Sequence, residues 1–82
     1  MQMDLQTAEV EISLTATESN VMAKASLDVP GQRFEVEATA PQGIRSKDPE
    51  FARDLAIARV LRALEAELMH SVHERIDRFT GN

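Results

Sequence analysis

From Ala8 the chain alternates without a break: Ala8, Val10, Ile12, Leu14 and Ala16 are apolar, and Glu9, Glu11, Ser13, Thr15 and Thr17 between them are polar. A period of two sends successive side chains to opposite faces, so this segment predicts a strand buried on its even-numbered side. Glu18-Ser19-Asn20 supplies turn residues. A second run follows, with Val21, Ala23, Ala25, Leu27 and Val29 inward and Lys24, Ser26 and Asp28 outward. Val29-Pro30-Gly31-Gln32 suits a type II turn, because Pro presets φ at the second position and Gly accepts positive φ at the third. A third strand over 32–40 turns Phe34, Val36, Ala38 and Ala40 in and Arg33, Glu35, Glu37 and Thr39 out, and Pro41-Gln42-Gly43 ends it. Connections this short predict an antiparallel meander.

The period then changes. Over 48–79 a helical repeat puts Ile57, Ala58, Leu61, Leu64, Leu68, Val72, Ile76 and Phe79 on one face and Arg59, Glu67, His70, Glu74 and Asp77 on the other. Asp48 suits the cap, Pro49 the first helical position and Glu50 the positive helix end. The reading is therefore α+β: a single domain with a tail at 1–7, a three-stranded antiparallel meander at 8–40 and one long C-terminal helix at 48–79 packed on the sheet. Ile12, Leu14, Leu27, Phe34, Val36, Ile57, Leu61 and Leu64 are the expected core. Alanine fills about half the inner positions of the second and third strands, which lets a helix approach closely.

The lengths do not match. Strands of about nine residues span roughly 30 Å, whereas a helix over 49–79 spans about 46 Å. Met69, Val72, Ile76 and Phe79 continue the apolar stripe past the end of the sheet. No Pro or Gly near His70-Ser71 marks a break. These four residues are accordingly the candidate interface, for a second copy of the chain or for another protein. The 82 residues include no cysteine, so no disulfide staples so small a domain, which adds weight to oligomerisation.

Composition narrows the chemistry. The net charge is −5, with three basic and seven acidic residues over 1–46 and six basic and seven acidic over 47–82. Neither half has the basic excess that phosphate binding needs. Arg53, Arg59, Arg62, Arg75 and Arg78 scatter around the helix among Glu and Asp. His70, His73 and Glu74 sit about one turn apart, but no third histidine exists and they lie off the apolar stripe, so no metal is expected. Glu65, within the apolar face, has no second acid, base or nucleophile beside it, and Ser46 lacks the small-residue setting of a nucleophile elbow. Gly43 stands alone, so no phosphate-cradling loop forms. No catalytic, cofactor-binding or metal-binding residue is assigned, and an enzyme is not expected. Neither a signal peptide nor an apolar run of about 20 residues is present, so the expected location is the cytoplasm and no membrane partner is expected.

A three-stranded meander followed by a long helix resembles the double-stranded-RNA-binding-domain (dsRBD) fold, and GIRSKDPEFARDLAIARVLRALEAEL echoes that family's glycine, Ser-Lys and alanine-rich helix. The chain departs from it where that family grips RNA. Only seven residues precede the first strand here, so no counterpart of its first helix is expected among them, the first strand connection shrinks to Glu18-Ser19-Asn20, and the lysine cluster is replaced by Lys47-Asp48-Pro49-Glu50. More specifically, AKASLDVPGQRFEVEATA, the Asp-Pro before the helix and DLAIARVLRALEAELM resemble a family of small uncharacterised actinobacterial proteins with a dsRBD-like fold. That resemblance implies the fold and carries no activity. The expectation is a non-enzymatic interaction module that homodimerises or binds a protein partner. The alternatives are weak nucleic-acid binding through Arg45, Lys47 and Arg53, and an antitoxin-like or inhibitor protein.

Overall fold

The computed structural model describes residues 6–42, 48 and 50–79. It contains β1 (Glu9–Ala16), β2 (Asn20–Val29), β3 (Gln32–Pro41) and α1 (Phe51–Phe79). The strands form one antiparallel sheet in the order β1-β2-β3, so the chain is an α+β domain of the order β-β-β-α. The register follows the alternation: Val10 stands opposite Leu27, Ile12 opposite Ala25 and Leu14 opposite Ala23. Leu27 in turn faces Phe34, and Ala25 faces Val36. Gly31 takes φ +84, which the Pro30-Gly31 turn requires.

At the first hairpin the Thr17 N–H donates to the Asn20 carbonyl at 2.7 Å. In an antiparallel pair such bonded positions alternate. The backbone groups of the odd residues of β1 therefore turn toward β2, and those of Val10, Ile12, Leu14 and Ala16 turn outward. The same alternation turns the odd residues of β3 to its free edge. Pro41, which has no N–H to offer, thus falls where none is needed.

α1 starts at Phe51, slightly later than its sequence signals suggest. Asp48 still caps it, its Oδ1 accepting the Glu50 N–H at 3.0 Å and its carbonyl accepting the Phe51 N–H at 3.2 Å. Pro49 lies outside the described residues. The helix is continuous to Phe79, with no break near His70-Ser71. It packs on β3 and β2 and leaves β1 largely uncovered.

The core differs from expectation on the helix side. Its buried residues are Ala52, Ala56, Val60 and Leu64, joined by Val21, Ala23, Ala25, Leu27, Phe34 and Ala40 from the sheet. Ile57 is only partly buried, Ala58 is exposed and Leu61 is 44% exposed. The face that meets the sheet is thus rotated by about a third of a turn from the one defined by the largest side chains. The cause is steric. An alanine floor brings the helix close, and small side chains fit the narrow gap where leucine would not. Both surfaces are graded: Ala52, Ala56, Val60 and Leu64 grow along α1, while Ala40, Ala38, Val36 and Phe34 grow in the same direction along β3, which runs antiparallel. Bulk on both surfaces therefore rises toward the C-terminal half of the helix.

Leu14 was also expected in the core, yet it is 42% exposed and Val10 is 53% exposed. The register is not the reason, since both stand opposite buried residues of β2. One helix is about as wide as two strands, so among the described residues nothing covers β1 fully. Ile12 and Val36 are partly buried against the core.

Candidate interaction surface

Which flank of α1 faces β1 follows from Arg59. Its Nη1 donates to the Thr39 carbonyl at 2.9 Å, one of the groups turned to the free edge of β3. Leu61 lies about 160° around the helix from Arg59. The flank carrying Leu61, Leu68 and Val72 therefore looks toward β1. Floor and wall are both apolar: Val10, Ile12 and Leu14 form the floor, and the helix flank forms the wall. The two make one surface along the side of the molecule.

The wall continues beyond the sheet. Arg75 Nη2 donates to Gln32 Oε1 at 2.9 Å, which marks where the helix passes the β2–β3 turn. Further on, Ile76 is 51% and Phe79 90% exposed, and Met69 and Val72 are exposed as well. The four residues singled out from the sequence are therefore all solvent-facing on a helix that holds its course. The pattern of large apolar residues in the sequence did not identify Val10, Leu14 and Leu61 as part of this surface, because it assigned Leu14 and Leu61 to the core. A width count, one helix against three strands, is the signal that exposes them.

Polar chemistry gathers elsewhere and is tied up in surface pairs. On the outer sheet face Arg33 bonds Glu35 at 2.9 Å and Asp28 at 3.2 Å, and Lys24 approaches Glu37 at 3.9 Å. The hydrogen bond to Glu35 and the charge of Asp28 raise the Arg33 pKa further above its usual range. Arg33, Glu35, Lys24 and Glu37 line a shallow depression of about 530 Å³ with Glu11, Ser13 and Ser26. Arg53 is held by Asp54 at 3.0 Å and Glu50 at 3.2 Å. The hydrogen bond to Asp54 leads in raising its pKa. Of the three cations considered for nucleic acid, Arg53 thus sits between two carboxylates, while Arg45 and Lys47 lie outside the described residues, as do Gly43 and Ser46. His70 Nε2 lies 3.7 Å from Glu74 Oε1 on the exposed side of the helix. Glu65 is exposed. Among the described residues no polar or charged side chain is buried and no three potential metal ligands come together. Among the described residues no helix is long and apolar enough to cross a membrane.

Comparisons of the chain with protein-family models, with curated proteins and with solved structures return no match.

Proposed function

We propose that this protein is a small non-enzymatic interaction module that associates, with a second copy of itself or with another protein, through the apolar side of its C-terminal helix. One observation carries the reading: α1 is continuous past the end of the sheet and keeps Leu61, Met69, Val72, Ile76 and Phe79 in water. A helix serving only a two-layer domain needs a single apolar stripe and is polar elsewhere. Fully burying side chains of this size stabilises by about 1.5–3 kcal/mol each. Three or four of them, supplied by both sides of an interface, offset an association cost of about 4–15 kcal/mol.

Light scattering at micromolar concentration should report about twice the chain's 9.1 kDa. Ile76→Asp, at an exposed position outside the core, should shift the mass to that of the monomer. A wild-type mass that Ile76→Asp leaves unchanged would remove the helix from the interface.

A further inference from the structure

What covers the spare surface follows from the widths of the layers, given that the surface binds as read above. Neighbouring strands lie about 4.8 Å apart, so with α1 seated over β2 and β3, β1 runs about 7 Å to one side of the helix axis. Packed helices lie about 8–10 Å apart. A second helix laid against the Leu61 flank of α1 therefore comes to rest over β1. The uncovered strip is one helix wide.

The helix that fills it must be apolar in two directions, sideways against α1 and downward onto Val10, Ile12 and Leu14. α1 itself has both. Leu61, Leu68, Val72 and Phe79 lie on the flank toward β1, and Ala58, Met69 and Ile76 lie further round, on the arc turned away from its own sheet. Each molecule thus offers one uncovered floor and one helix with a spare apolar arc.

We infer that the occupant is a second copy of this chain, related by a two-fold axis that runs between and along the two helices, so that each α1 lies on the partner's β1. The layers are then sheet, paired parallel helices, sheet. A two-fold interface must be complementary to itself, and here Leu61, Leu68 and Val72 each meet their own counterpart. Charge agrees with this choice. The polar outer faces, with Glu9, Glu11, Glu35 and Glu37, stay on opposite outsides of the assembly.

The competing arrangement pairs the two β1 edges through the outward backbone groups of Val10, Ile12 and Leu14. It would bring Glu9 and Glu11 of both copies onto one face, where Glu9 already stands opposite Asp28. It would also set the two helices about four strand spacings, or 19 Å, apart and leave the strip open.

The chain has no cysteine, so single-cysteine variants separate the two arrangements. A disulfide needs Cα atoms within about 7 Å. Val72→Cys should form a covalent dimer under mild oxidation, read on a non-reducing gel, and should lose it when Ile76→Asp is added. Ile12→Cys should remain uncross-linked. Cross-linking of Ile12→Cys, with or without that of Val72→Cys, would overturn the inference in favour of edge pairing. A dimer by light scattering in which neither variant cross-links would also overturn it, while leaving the role of the helix surface intact. A monomeric wild type would remove the second copy as occupant and the self-association with it.

Discussion

Ala56 is fully buried where a reading by side-chain size would have placed Leu61. Hydrophobic periodicity weights each position by its apolar bulk, so four leucines and isoleucines outvote two alanines. The sheet reverses that vote, because its own inner residues are small and leave no room for bulk near the start of the helix. The clue was in the sequence as two parallel gradients, Ala52-Ala56-Val60-Leu64 and Ala40-Ala38-Val36-Phe34, which only a docked pair makes meaningful. Consequences follow for stability, measured by urea unfolding of the Ile76→Asp background. Ala56→Leu should overpack the narrow end and cost about 1–3 kcal/mol or more. Leu64→Ala should cost about 2–5 kcal/mol. Leu61→Ala should stay within about 1 kcal/mol, as exposed positions do. A larger loss for Leu61→Ala than for Leu64→Ala would restore the rejected helix face.

At the scale of elements the sequence was more generous. The alternation set the strands and their register, because a slip of one residue would exchange the two faces. Pro30-Gly31 set the second hairpin, and Asp48 marked the helix start to within a turn. The coverage of β1 was not legible, since alternation records which face of a strand is apolar and not whether a neighbour reaches it. The hydrogen-bond phase of β1 supplies a test of that edge. Proline at Val10 removes an N–H that points away from β2, whereas proline at Ser13 removes one that bonds to it. In the same Ile76→Asp background, Val10→Pro should leave the urea midpoint nearly unchanged. Ser13→Pro should lower stability by about 1–3 kcal/mol through the orphaned partner on β2. Equal losses would mean the assigned phase is wrong.

The whole molecule is long for its thickness, 52 × 34 × 16 Å. Among the described residues the largest fully buried side chain is a valine. Domains of this size are marginal without staples, and the apolar surface left over is comparable in kind to the core itself. Length arithmetic from the sequence already showed that the helix must overrun the sheet, which accounts for Ile76 and Phe79. Met69 and Val72 come before Arg75, where the helix passes the β2–β3 turn, and are exposed because they lie on the side of the helix turned from the core. Their joining with Val10 and Leu14 into one surface was not legible, because it depends on which side of the sheet the helix settles.

If folding and association are one process, stability must depend on protein concentration by mass action. The melting temperature of the wild type, followed by circular dichroism across a hundredfold range of concentration, tests this directly. It should rise by about 3–5 °C for each tenfold increase, as expected for a dimer of this size. Ile76→Asp should melt lower and at a temperature independent of concentration. A wild-type melting temperature that does not move with concentration would contradict the account.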